Sequence, residues 1–259
     1  MRIVVIGGTG LIGSKLVHAL TAHGHEAIAA SPRTGVNAVT GEGLTDVLTG
    51  AGRQTDVVVD VSNSPSFEDG PALEFFTRSA TNLLAAEASA GVRHHVALSV
   101  VGTPTLAQQS GYFDAKLTQE KLIGAGPIPY TIVRATQFFE FLGVIADSAT
   151  VDGAVRLPVK GIQPMAAVDV AEGVAIAALG EPVNGFSEIG GPQRFDLPEL
   201  IRTALTARGD NRAVIADPAA KYWGIDIDTD TLVPSADAMF FETRFADWIL
   251  EAAATGQRR

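Results

Sequence analysis

The sequence predicts an α/β fold built on a doubly wound parallel sheet, with a small lobe at its C-terminal end. Three observations predict it. The chain opens on Arg2-Ile-Val-Val-Ile6, a β-branched run apolar on both faces, as a strand buried inside a parallel sheet requires. A glycine cluster, Gly7-Gly-Thr-Gly-Leu-Ile-Gly13, then leads into a segment with Leu11, Ile12, Leu16, Val17 and Leu20 at helical spacing. Strand-like and helix-like segments go on alternating every ~25–40 residues, the rhythm of repeated βαβ units.

Each element follows from local pattern. Gly24 stops the first helix, and Glu26–Ala30 is the second strand. Asp56–Val61, His95–Val101 and Tyr130–Arg134 are further strands. Helices are expected over Pro71–Ala90, stopped by Gly91, and over Tyr112–Ile123, stopped by Gly124 and Gly126. Later the rhythm loosens. Asp169 is expected to N-cap a helix over Val170–Leu179, and Asp196 stands just before another over Leu197–Ala207. A last helix, Ala238–Ala254, would carry Phe241, Phe245, Trp248 and Ile249 on one side. No Pro-, Gly- or Ser-rich linker separates these parts. We therefore expect a single domain over 1–259, with a dinucleotide-binding core over about 1–145 and a mainly C-terminal substrate lobe over about 146–259.

Composition narrows the function. Of 259 residues, 46% are hydrophobic and 19% charged, which excludes a disordered chain or a coiled coil. The absence of cysteine excludes thiolate metal sites, cysteine nucleophiles and disulfide scaffolds. With 19 basic against 29 acidic residues the net charge is −10, so neither nucleic acid nor an anionic membrane surface is an expected partner. The histidines lack metal-ligand spacing, and no metal is expected. The N-terminus carries no signal-peptide pattern, so the expected compartment is the cytoplasm. Apolar helix faces are compatible with a homodimer.

The glycine cluster satisfies G-x-G-x-x-G through Gly8, Gly10 and Gly13, and G-x-x-G-x-x-G through Gly7, Gly10 and Gly13. After a strand, such a loop needs a tight turn, close backbone approach to a pyrophosphate, and close helix–sheet packing. The free N–H groups of the helix start then bind the anion. Dinucleotide binding is the expectation. The second strand ends in Ala29-Ala-Ser-Pro-Arg-Thr34 without a carboxylate to take the ribose 2′-hydroxyl. Ser31 and Arg33 instead suit a 2′-phosphate, which favours NADP(H) over NAD(H).

Ser99 lies near the end of one strand, and Tyr112 and Lys116 open the next helix four residues apart, on one face. In a parallel sheet these positions border the ligand crevice. A free tyrosine titrates near about 10, and a neighbouring ammonium would lower that value. Tyr112 is thus expected to exchange the proton of a carbonyl/alcohol pair, with Lys116 modulating it and holding ribose, and Ser99 binding the developing oxyanion.

At this point the chain resembles the short-chain dehydrogenase/reductase superfamily, in its atypical NmrA-like, NAD(P)H-binding branch. The resemblance rests on Val5–Gly13, Thr81-Asn-Leu-Leu84, Gly91–Ser99, Gly111-Tyr-Phe-Asp-Ala-Lys116, Tyr130–Ala135 and Met165–Ala171. It implies a Rossmann-type sheet. It implies cofactor contacts from Gly7, Thr9, Gly10, Leu11, Ile12 and Gly13, from Ser31 and Arg33, from Ser62, Asn63 and Ser64, from Lys116, and from Ala135, Thr136 and Gln137. It puts Ser99, Tyr112 and Lys116 on the catalytic motif. Phe138 and Phe139, at the start of an aromatic-rich stretch, are candidates to line an apolar substrate pocket. The expected function is NADP(H)-dependent oxidoreduction of a small carbonyl, enone or quinone-like molecule. Two alternatives stay open: a non-catalytic NADP(H) sensor of NmrA-like type, and an epimerase or dehydratase that retains NAD.

Overall fold

In the computed structural model, which describes residues 1–254, the apolar run Arg2–Ile6 forms strand β1 and is buried along its whole length. The elements then follow in the expected alternation: α1 (Leu11–Ala22), β2 (Glu26–Ala30), α2 (Leu44–Thr49), β3 (Val57–Asp60), α3 (Asp69–Ala90), β4 (His94–Val100), α4 (Thr103–Leu106), α5 (Gly111–Ala125) and β5 (Tyr130–Ala135). The chain continues through α6 (Leu142–Ser148), β6 (Thr150–Val151), β7 (Ala154–Leu157), β8 (Gly161–Ile162), α7 (Ala167–Leu179), β9 (Gly185–Gly190), β10 (Phe195–Asp196), α8 (Leu197–Ala207), β11 (Val214–Ala216), β12 (Met239–Phe240) and α9 (Phe245–Ala254).

Seven strands form one parallel sheet in the order β12-β9-β5-β4-β3-β1-β2. The order reverses at β1, which pairs with β2 on one side and β3 on the other, so a crevice opens at the strands' carboxyl ends. Helices α1 and α7 cover one face with an apolar layer: Leu16 and Leu20 from α1, Val170 and Val174 from α7, and Val5, Val59, Val96 and Val133 from the sheet. Helices α3 and α5 cover the other face. There the apolar packing is interrupted by Asp60, Glu87, His95, Ser99, Lys116, Gln119 and Glu120, all buried. A second core lies outside the sheet, around Phe139, Leu157, Ile201, Leu205, Tyr222 and Phe245. It is the interior of the C-terminal lobe.

Several expectations change. The segment after residue 145 is not purely lobe: α7 covers the sheet, and β9 and β12 extend it. Asp169 does not cap α7. The helix starts earlier, at Ala167, whose N–H donates to the Glu140 carboxylate (3.1 and 3.2 Å), so an acid from another segment satisfies that end. Asp169 accepts from Thr243 instead (2.9 Å). Asp196 does cap α8, accepting from the Glu199 N–H. The last helix starts at Phe245, not near Ala238. Met239 and Phe240 pair with β9, and Phe241 packs onto the α1–α7 layer, so the apparent helical spacing of Phe241 is accidental. Among the described residues, no helix is long and apolar enough to cross a membrane.

Candidate active site

The glycine loop joins β1 to α1 by backbone geometry alone. Gly7 adopts φ +79°, where L side chains are strained, and a Cβ there would lie 2.8 Å from the Ser62 nitrogen. A Cβ on Gly13 would come within 2.2 Å of the Gly7 carbonyl oxygen, so only glycine lets α1 start this close to the loop. Gly10 is the N-cap of α1 and carries no side chain to cap it, so the first-turn amides have no side-chain acceptor. Thr9 ties the loop to the end of β2, donating from Oγ1 to Ser31 Oγ (3.0 Å).

Above this loop lies a cavity of about 730 Å3 spanning the carboxyl ends of β1 to β5. Of the residues expected to contact a dinucleotide, Gly7, Thr9, Gly10, Leu11, Ile12, Ser31, Ser62, Asn63, Lys116, Ala135, Thr136 and Gln137 line it, as do Ser99, Tyr112 and Phe138. Gly13 lies behind the wall and shapes it. Arg33 stands exposed on the short 3-10 turn Pro32–Thr34, beside the wall rather than in it, with no ion-pair partner among the described residues. Ser64 is buried away from the cavity, its Oγ accepting from the Ser66 N–H. Phe139 does not line the pocket either. It is 1% exposed and packs on Phe245 and Trp248 in the lobe core.

The Ser–Tyr–Lys arrangement differs from the expected one. The Tyr112 hydroxyl donates to Asn63 Oδ1 (2.8 Å), and burial pushes its pKa up to about 12. The expected lowering by Lys116 is absent, because that amine points inward. Lys116 Nζ donates to the Leu98 carbonyl (2.8 Å) and to Gln119 Oε1 (2.6 Å), and lies 4.6 Å from the centroid of the Phe76 ring. Its desolvation lowers its pKa to about 8, opposed by the carboxylates of Asp60 and Glu120. Ser99 Oγ donates to Glu120 Oε1 (2.5 Å), and Glu120 also takes a forked pair of bonds from Arg134 (3.1 and 2.6 Å). The serine hydroxyl is thus already engaged with a protein acceptor.

Asp60 links Tyr112 and Lys116. One carboxylate oxygen accepts from the N–H (2.9 Å) and Oγ (2.6 Å) of Ser62, fixing the loop that presents Asn63 to Tyr112. The other accepts from Gln119 Nε2 (2.9 Å), which holds Lys116. Neither Asp60 nor Gln119 carries a motif, and sequence reasoning missed both. It also missed the Val36–Val39 wall and the aromatic residues Phe67, Phe75 and Phe141, which come from irregular segments or distant elements; Tyr222 and Trp223 of the lobe, which sequence alone could not place, line the cavity as well.

A dinucleotide fits these residues on two grounds. Glycine at 7 and 13, where a Cβ would strike Ser62 and the Gly7 carbonyl, keeps the turn and the start of α1 tightly packed beside the cavity that Gly7, Gly10, Leu11 and Ile12 line. Two buried polar atoms in the cavity wall, Thr136 Oγ1 and Gln137 Oε1, have no partner among the described residues, as groups awaiting a ligand would.

The comparisons agree with that geometry. Residues 7–141 match the model of a family described as NAD(P)H-binding. No curated protein matches the chain. Among solved structures, the fold is similar to a short-chain dehydrogenase/reductase superfamily protein from Agrobacterium tumefaciens with bound NAD, at 18% identity and TM-score 0.72, covering 100% of this chain and 97% of that one. It is similar to the UDP-glucose 4-epimerase of Thermus thermophilus in complex with NAD, at 18% identity and TM-score 0.69, covering 99% and 93%. A dTDP-4-dehydrorhamnose reductase from Clostridium acetobutylicum gives 16% identity and TM-score 0.66 over 98% and 93%. Likeness at this identity speaks for the fold.

Proposed function

Since this chain belongs to the NAD(P)H-binding family, whose model spans more than half of it, we propose that it is an NADP(H)-dependent oxidoreductase of the atypical short-chain dehydrogenase/reductase type. Its substrate in this reading is a small, uncharged carbonyl, enone or quinone-like molecule. The observation that carries the reading is a single cavity with the glycine loop at one part of its wall and the Tyr112 hydroxyl at another. When bound, the dinucleotide supplies two-electron hydride chemistry.

The protein's own residues do the rest. Leu11 and Ile12 offer first-turn amides to pyrophosphate. Ser31 and Arg33 hold a 2′-phosphate, with Arg33 as the exposed cation just past the end of β2. Thr136 and Gln137 take the nicotinamide end. Tyr112, protonated up to about pH 12, acts as the proton donor, which suits reduction of a carbonyl better than abstraction from an alcohol. Asn63 aims the phenol.

Titration with NADPH, NADP+, NADH and NAD+ tests this by calorimetry. NADPH should bind more tightly than NADH, and Arg33→Ala should remove most of the difference. Equal affinities would refute the 2′-phosphate assignment. With a substrate found, Tyr112→Phe should lower kcat by on the order of 100-fold; unchanged turnover would refute the proton-donor role.

A second reading is a redox sensor of NmrA-like type. It is favoured by the engagement of Lys116 and Ser99 with protein partners. It predicts different affinities for NADP+ and NADPH coupled to a protein partner, and no reductase activity.

A further inference from the structure

We propose that Phe67 and Trp223 form an aromatic gate at the cavity mouth that admits a flat, uncharged ring compound and rejects nucleotide-linked substrates. The proposal deepens the oxidoreductase reading and rests on it for the location of the substrate.

The two residues come from distant parts of the chain and meet at the cavity. Phe67 lies in the loop between β3 and α3, and Trp223 in the C-terminal lobe. Their rings stack with centroids 6.0 Å apart and planes 24° apart. Phe67 also touches the ring of Tyr112, at 5.0 Å. An unbroken aromatic path therefore runs from solvent to the proposed proton donor. Both gate residues are exposed, Phe67 at 55% and Trp223 at 42%.

Trp223 is held outward by a specific device. Residues 222–225 form a tight turn closed in both directions, from the Tyr222 N–H to the Ile225 carbonyl (3.0 Å) and from the Ile225 N–H to the Tyr222 carbonyl (2.9 Å). Trp223 and Gly224 both adopt positive φ, +53° and +78°. Glycine and asparagine are the usual residues of such a turn, and a bulky side chain there is strained. Tyr222 and Ile225 are buried in the lobe core and anchor the turn, while its tip carries the indole over the cavity. Strain kept at the lip of a cavity, where glycine would fold more easily, points to a use for that indole.

The cavity wall explains what the gate selects. Among the described residues that line it, the single charged side chain is Lys116, which is 3% exposed and already donates to Leu98 and Gln119. A diphosphate beyond the dinucleotide would find no cation to meet it, and desolvating such a group without a partner is costly. A flat ring loses nothing on entry, because it exchanges the Phe67–Trp223 contact for stacking of its own.

The test is a titration of NADP+-saturated protein, and in parallel of dinucleotide-free protein, with 1,4-naphthoquinone and with UDP-glucose, by calorimetry and tryptophan fluorescence. Trp223 and Trp248 are the chain's only tryptophans. Naphthoquinone should bind and quench. Phe67→Ala and Trp223→Ala should weaken it by about tenfold each. Trp223→Phe should restore affinity while losing most of the quench. UDP-glucose should not compete. Binding of UDP-glucose as tight as that of naphthoquinone, or unchanged naphthoquinone affinity in both alanine variants, would overturn the proposal, as would no naphthoquinone binding. If naphthoquinone binds with this variant dependence while no dinucleotide binds, the cofactor reading fails and the gate stands. If dinucleotide binds and naphthoquinone does not, the gate fails and the cofactor reading stands.

Discussion

The two faces of the central sheet are built on opposite principles. The face under α1 and α7 is a continuous apolar layer in which valines from four strands meet leucines and valines from two helices. The face under α3 and α5 carries buried charge: the Glu87–His95 pair (2.8 Å), the Glu120–Arg134 pair with Ser99, and the Asp60–Gln119–Lys116 chain. Apolar burial is non-directional and stabilises in proportion to area. Buried ionic groups contribute little net stability, because desolvation offsets attraction, but they fix geometry through hydrogen bonds. The difference teaches a division of labour. One face holds the fold, and the other holds Tyr112, Lys116 and their loop in place.

Substitutions can break the comparison. The largest effect is expected from Glu120→Ala, which leaves Arg134 with its guanidinium mostly buried and strips Ser99 of its acceptor. Removing one partner of a buried pair costs about 3–5 kcal/mol, measurable by urea unfolding. On the other face Leu16→Ala should cost about 2–4 kcal/mol through a cavity in the α1–α7 layer, with no change in that cost across neutral to alkaline pH. A Glu120→Ala cost well below that of Leu16→Ala would dissolve the distinction.

A gradual effect, spread over pH, sharpens it. The folded-state pKa of Lys116 is lowered to about 8 from 10.5, so between those values the unfolded chain binds more protons than the folded one. Stability should therefore rise with pH across that window, by at most about 1.4 kcal/mol per pH unit, and level off below it. Lys116→Met should abolish that slope. A wild-type stability that is flat between pH 8 and 10.5 would contradict the buried state of the amine.

The dinucleotide half was legible because it is written in local pattern. The run Arg2–Ile6, the glycines before α1 and the spacing of Tyr112 to Lys116 each specify their own backbone. What sequence reasoning could not reach depends on tertiary partners. Lys116 turns inward because Leu98 and Gln119 are there, and no one-dimensional spacing reveals that. The α7 terminus is satisfied by Glu140, 27 residues away, which hid the true start behind the attractive cap at Asp169. Phe139 and Phe138 are adjacent in an irregular segment, and only the packing tells which of them enters the lobe core.

The threading of the chain has a mechanical consequence. After β5 it leaves the sheet for α6 and the small strands of the lobe, returns for α7 and β9, leaves again for α8 and the Tyr222 turn, and returns once more at β12. A hinge needs one or a few flexible connections about which two bodies rotate. Here several covalent strands lace the bodies together, so a swing of the lobe would have to deform all of them at once. Access to the interior is then governed by the rotation of individual side chains at the rim, motions of picoseconds to nanoseconds for exposed groups, rather than by slow domain closure. A ligand meets a vestibule whose shape already exists, and little ordering entropy is left to lose on arrival.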